Sequence, residues 1–321
     1  MDWSETLTAT PAGWLRERVA AAHGAVVRGR LRAASARTHE GIEVRRLVVV
    51  GGTALGGSGK TPVVEWLARQ LRARGAPVAI VGHGYGGADR SIRRVGGHCD
   101  ADGDEAVELA RALPDVPVWL GRPRIAAIRA ARSDVRGTWV LVDGGLGARD
   151  VPWTPSILVD DVSLGGGRFP AGYRRILPED VPTDVLSWAH RVDEPGARPS
   201  DAAVKSRFRA TGLRDPDGGL RGLDELGVGS WIAVSGVARP RSFRHALASA
   251  GARVVEHRVL GDHAALSART LGGRPGTRVV VTRKDRARMT SAAGVWVLEG
   301  AVELVSGAAN LDAFLFAAGG A

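Results

Sequence analysis

Residues Leu47 to Leu71 read LVVVGGTALGGSGKTPVVEWLARQL. An apolar run, a glycine-rich turn and an amphipathic helical pattern follow one another directly, which commits this stretch to strand, loop and helix. Such a turn aims several backbone N–H groups into one concavity, and the helix N-terminus adds partial positive charge there. Gly56, Gly57 and Gly59 allow the close backbone approach a polyphosphate needs, with Ser58 between them. Lys60 is placed to neutralise the β- and γ-phosphates, and the Thr61 hydroxyl to hold Mg²⁺. Pro62 falls in the first helical turn, where a missing N–H costs little. The stretch departs from G-x-x-x-x-G-K-[ST] at one place, Ala54, where that pattern has its first glycine. We read it as a site for a nucleotide and Mg²⁺.

From Val44 onward, short β-branched runs alternate with helical ones: APVAIVGHG, DEAVELARAL, VPVWLG, PRIAAIRAARS and TWVLVDGG. The alternation predicts an α/β fold, a parallel sheet with helices on both faces and ligands at the carboxyl ends of its strands. TWVLVD ends in Asp143, the acid expected to reach Mg²⁺ from a second core strand. An aspartate there also suits a simple turn. Regularity weakens after Asp150, and RVDEPGARPSD (191–201) reads as a connector. A second α/β pattern then runs through SWIAVSG, RPRSFRHALASAG, ARVVEHRVLG, TRVVVTRKD and GVWVLEG. The expected organisation is a basic amphipathic helix and lead-in over 1–43, a P-loop domain over 44–225 that includes the connector, and a smaller C-terminal α/β domain over 226–321.

The net charge is +10, and lysine occurs only at 60, 205 and 284. This favours anionic partners, although a coding bias toward arginine explains it equally well. Cys99 is the only cysteine, which excludes an internal disulfide and a cysteine zinc cluster. No apolar run approaches the ~20 residues that span a bilayer, and no signal-peptide layout is expected. Residues 13–36 predict a basic helix with Trp14, Leu15, Val19, Ala22 and Val26 at helical spacing. It suits either an anionic membrane surface or packing on its own domain. No basic cluster is interleaved with stacking aromatics, so no nucleic-acid partner is expected, and no protein partner is predicted.

Taken in order, these motifs resemble the tetraacyldisaccharide 4'-kinase family of lipid A biosynthesis. VVGGTALGGSGKTP is similar to that family's VGNITVGGTGKTP, which also lacks a glycine at the position of Ala54. GHGYGG resembles SRGYGG, GDEAVELA resembles GDEPLLLA, and VWLGRPRIAA resembles VGRDRVAAA. GGGRFPAGYRR, SGVARPRSF, LGDHAAL and VVTRKDRARM resemble further segments in the same order. The resemblance spans nearly the whole chain and implies ATP- and Mg²⁺-dependent phosphorylation of the 4'-hydroxyl of a tetraacylated glucosamine disaccharide 1-phosphate. It implies a peripheral enzyme on the cytoplasmic face of the inner membrane. It also implies that Asp104 and His263 form a catalytic dyad, a carboxylate taking the hydroxyl proton and an imidazole orienting it. Without the resemblance, Asp104 reads as a helix cap and His263 as a surface histidine. Arg124, Arg175 and Tyr85 carry over as substrate or nucleotide contacts, and Glu105 as a further metal-site acid.

Three departures accompany the match. The family's DDGLQH is DGGLG here, with Gly144 in place of the second aspartate. His83 replaces the arginine of SRGYGG, and Ile176 a glutamate. Two other readings stay open on the sequence: a nucleotide-binding regulatory protein, and a P-loop kinase for another sugar acceptor.

Overall fold

The computed structural model describes residues 11–37, 44–54, 57–84, 86–182, 184–262, 264, 266, 268–289 and 294–319. Gly56, Tyr85 and His263 lie outside the described residues.

Among the described residues the strands form one sheet, in the order β11-β10-β12-β13-β8-β7-β6-β1-β5-β2-β4-β3, with the short β9 (Leu220–Arg221) antiparallel on β8. At its centre β1 (Leu47–Gly52) lies between β5 (Trp139–Asp143) and β6 (Ser156–Asp161), parallel to both. The sheet extends through β2 (Val78–Val81) and β4 (Val118–Leu120) on one side, and through β7 (Val185–His190) on the other. β3 (Arg93–Arg94) adds an antiparallel edge to β4. All six residues of β1 are buried, as expected for a strand covered on both faces.

Side-chain alternation divides that burial between two cores. Val48 and Val50 face α2 (Lys60–Ala73) and α4 (Asp104–Ala112) through Val63, Leu67, Ala106 and Leu109. Leu47 and Val49 face α1 (Pro11–Ser35) and α5 (Arg124–Asp134) through Val27, Leu31, Ala127 and Ile128. The expected α/β class with helices on both faces is the observed one. The region after Asp150, irregular in sequence, holds two further parallel strands, β6 and β7.

The second half repeats the design. β10 (Ser230–Ser235) lies between β11 (Val254–Val259) and β12 (Thr277–Thr282), with α6 (Pro240–Ser249) packed through Phe243 and Leu247. Two long antiparallel strands, β8 (Val204–Arg214) and β13 (Val295–Ser306), join the halves: β8 pairs with β7 at one end and β13 with β12 at the other. The chain then returns, because Val302 and the α9 (Ala308–Gly319) residues Leu311 and Leu315 complete the core beneath α2.

α1 packs through Ala20, Val27, Leu31 and Ala34, which are buried. The residues expected to form its apolar face, Trp14, Leu15, Val19, Ala22 and Val26, are exposed. No helix among the described residues is long and apolar enough to cross a membrane.

Candidate active site

β1 ends in Gly51-Gly52, and the chain turns back to start α2 at Lys60. The turn is tight. A Cβ on Gly52 would lie 2.1 Å from Ser58 Oγ, and Gly59, at φ +82°, would drive one to 2.3 Å from the His190 ring. Glycine is therefore required at 59 by contact with a buried ring and by backbone sign, whereas a side chain at 52 would have to displace the Ser58 hydroxyl. Lys60 Nζ donates to Ser58 Oγ at 3.2 Å, and the first-turn N–H groups of α2 open toward the turn.

Asp143 ends β5 opposite Val50 of β1, which brings it beside the first turn of α2. Thr61 Oγ1 donates to its Oδ2 at 2.8 Å, while its Oδ1 is buried without a hydrogen-bond partner. Burial, and then the Glu105 carboxylate, push its pKa up to about 6, against the opposing pull of Lys60, Thr61 and Lys284. A buried carboxylate held beside a hydroxyl, with one oxygen unused, fits a divalent cation. Among the described residues no three His, Cys, Asp or Glu side chains cluster as metal ligands. Mg²⁺ shared with nucleotide phosphates uses only one or two carboxylates, so the donor set suits it.

Asp104 and Glu105 open α4. The cap position before this helix is Gly103, with no side-chain bond, so Asp104 is not its cap. Asp104 Oδ1 accepts the neighbouring Glu105 N–H at 2.9 Å, and Oδ2 faces Arg288 at 3.4 Å and Lys284 at 3.9 Å. Lys284 Nζ also meets Glu105 at 3.2 Å and Asp262, the residue before His263, at 3.8 Å. The carboxylates hold the Lys284 ammonium protonated, against burial, which pulls its pKa down. Lys284 belongs to α8 (Arg283–Ala287), whose cap Thr282 accepts the Asp285 N–H, while Asp285 accepts the Gly236 N–H at 2.9 Å. A short capped helix of the second half thus places a cation against the GDE segment of the first.

A model of the Tetraacyldisaccharide-1-P 4'-kinase family matches residues 12–318. The chain belongs to this family. It is 34% identical over 301 residues to the tetraacyldisaccharide 4'-kinase of an Anaeromyxobacter species, covering 84% of this chain and 80% of that one. It is 36% identical over 281 residues to the enzyme of Aromatoleum aromaticum, covering 82% and 81%. The crystal structure of Aquifex aeolicus LpxK in complex with ATP has the same fold, with a TM-score of 0.71 at 21% identity over 98% of this chain and 99% of that one.

The remaining kinase-family positions fall close by. Arg124 is buried, and its N–H, Nε and Nη2 all donate to Asp150, at 3.1, 3.2 and 2.8 Å. These bonds outweigh burial and draw the Asp150 pKa down to about 2. Its Nη1, buried without a partner, faces Gly145 of the DGGLG turn. In this form Arg124 braces the turn after Asp143. Arg175 is exposed, and its backbone N–H donates to Thr53 O at 2.7 Å, just after β1. Gly144 has φ +81° and open space around a would-be Cβ, so the missing second aspartate leaves room rather than a filled site.

Several site residues escaped the sequence reading. Asp160 and Asp161 end β6, as Asp143 ends β5, and that shared signal was available. Asp160 accepts Thr53 Oγ1 at 2.7 Å and Arg174 at 2.6 Å. Asp161 accepts Arg191 at 2.6 Å, whose Nη1 also donates to Gly57 O at 3.1 Å. Arg239, from the second half, meets Asp161 at 3.2 Å and packs its stem on Gly57. His190, which walls Gly59, bonds Ser206 through Nδ1 at 2.9 Å and is kept neutral by burial, its pKa pulled down to about 3. The roles of Lys284, Arg288, Arg191 and Arg239 have no local signature, because the acids that draw them to the site, Asp104, Glu105 and Asp161, are remote in sequence.

Proposed function

We propose that this chain transfers the γ-phosphoryl group of ATP to the 4'-hydroxyl of a tetraacylated glucosamine disaccharide 1-phosphate. Its family makes it an ATP-dependent kinase of lipid A biosynthesis. The observation that carries the mechanism is the convergence of Lys60, Thr61, Asp143, Glu105, Lys284 and Asp104 at the end of β1 and β5. In our reading Gly56, Gly57, Ser58 and Gly59 cradle the phosphates with their backbone, and Lys60 faces the β- and γ-phosphates. Thr61 and Asp143 would hold Mg²⁺, with Glu105 as the second acid. When bound, the ion neutralises charge on the phosphate oxygens. Asp104, oriented with His263, takes the proton of the 4'-hydroxyl as that oxygen bonds to the γ-phosphorus and the bond to the ADP oxygen breaks. Arg175 and Tyr85 contact substrate, and Arg124 acts through the turn it braces.

We read residues 44–225 as the kinase part and 226–321 as the part that delivers Lys284 and His263, with the β8–β13 ribbon and α9 tying them together. The exposed apolar face of α1, with its arginines, supports a peripheral position on an anionic cytoplasmic membrane surface. The test is transfer of label from γ-labelled ATP to purified disaccharide monophosphate, wild type beside Lys60→Ala. Loss of transfer with weakened ATP·Mg²⁺ binding is expected, and unchanged transfer would remove the phosphate-loop assignment.

A further inference from the structure

Four aromatic side chains are exposed among the described residues: Trp14, Phe169, Tyr173 and Phe316. Three of them lie on two elements that touch, α1 and the loop leading into Arg174. Phe169 stands edge-on to His23 of α1, with ring centroids 6.0 Å apart. His23 lies one helical turn from both Val19 and Val26, which are exposed, so Phe169 extends the outward apolar stripe of the helix sideways.

The loop is fixed there. Arg168 makes two bonds to Asp180, at 2.6 and 2.7 Å, and Arg28 of α1 reaches the same carboxylate at 3.2 Å. The Arg168 guanidinium also lies so close over Gly24 that a Cβ there would come within 2.6 Å of it. The loop closes on itself through Phe169 N–H to Arg174 O and Gly172 N–H to Arg168 O, at 2.8 and 2.7 Å. Its base is stitched to the phosphate-loop strand, since the N–H groups of Arg175 and Ile176 both donate to Thr53 O. Exposed arginines surround the surface: Arg16 and Arg18 on α1, the latter over the Trp14 ring at 4.6 Å, and Arg175 at the loop base.

Aromatic rings flanked by guanidinium groups match the headgroup–acyl boundary of an anionic bilayer, where the rings bury apolar area and the cations meet phosphates. We propose that the segment 165–173 is a second membrane-contact element, inserting Phe169 and Tyr173 into an anionic bilayer beside α1. It rests on the membrane reading of α1 given above. The loop is anchored at one end to α1 and at the other to Thr53, so it sets the height of the phosphate loop above the lipid.

The experiment compares full-length wild type, Phe169→Ser/Tyr173→Ser and Trp14→Ser/Leu15→Ser for sedimentation with phosphatidylglycerol-rich vesicles, with ATP·Mg²⁺ affinity measured alongside. The loop variant is expected to partition roughly tenfold more weakly at unchanged ATP affinity, from the apolar area withdrawn. The deficit should persist at high salt, which screens only the arginine contribution. If the loop variant sediments like wild type while the α1 variant is released, the loop proposal fails and the α1 reading stands. If wild type itself does not sediment, both fail. Should ATP affinity fall in the double variant, Tyr173→Ser alone, at a residue 61% exposed, decides by the same criteria.

Discussion

Asp143→Asn should make the ligand-free protein more stable at neutral pH while disabling it. The Asp143 carboxyl is raised from an ordinary 3.8 to about 6, first by burial and then by Glu105. Each pKa unit is worth about 1.4 kcal/mol, so keeping this carboxylate ionised in the folded chain costs on the order of 3 kcal/mol. Between those two values the folded chain holds a proton that the unfolded chain has released. The contribution of Asp143 to stability is therefore most favourable below pH 3.8, declines as pH rises from there to 6, and bears the full penalty above that. Asparagine cannot ionise, and its carbonyl still accepts the Thr61 hydroxyl. Its amide N–H groups, however, occupy the position of the partnerless Oδ1, at a cost of about 1 kcal/mol. The net expectation is a gain of about 1–2 kcal/mol at pH 8 that vanishes or reverses near pH 4.5. Urea unfolding in EDTA without nucleotide, across that range, measures it directly. The reasoning is refuted if the difference between the two proteins does not change with pH, or if the variant is the weaker one at pH 8. Transfer in Mg²⁺ should be lost in the same variant, the trade expected when an acid is kept for function rather than stability.

Gly59→Ala should cost about 2–4 kcal/mol in denaturant unfolding, because a β-carbon at positive φ meets the buried His190 ring; a loss below about 0.5 kcal/mol would show that the loop yields freely. Lys284→Met should lower kcat at least tenfold. It should also reduce the Mg²⁺ needed for half-saturation, since a cation leaves the Asp104, Glu105 and Asp143 group; partial rescue by Lys284→Arg would separate charge from packing, and a raised Mg²⁺ requirement would contradict the arrangement. Asp104→Ala and His263→Ala should each cut turnover by about 10²–10⁴ with ATP affinity little changed, and the double variant should be little worse than the stronger single. Losses that multiply independently would break the dyad.

Local chemistry made the centre of this protein legible. An apolar run into GGSGKT admits few folds other than strand, glycine turn and helix, and a strand ending in aspartate points to a second acid beside it. Strand–helix alternation determined the layered class for the same reason: each element's burial pattern is written in its own residues. What the sequence left undecided depends on partners far along the chain. The α1 segment carries two apolar stripes, and only the surface it meets chooses between them. The small residues Ala20, Gly24 and Ala34 let the helix approach closely, so with Val27 and Leu31 they turn inward, and the bulkier Trp14, Leu15, Val19 and Val26 face out. Asp104 and Asp143 could each be named as an acid from sequence. That Lys284 is the cation between Asp104, Glu105 and Asp262, and that Asp161 ties Arg191 and Arg239 to the phosphate loop, required the β8–β13 ribbon to bring the halves together. Charge pairing of this kind has no sequence period, because attraction between two side chains is set by their separation in space.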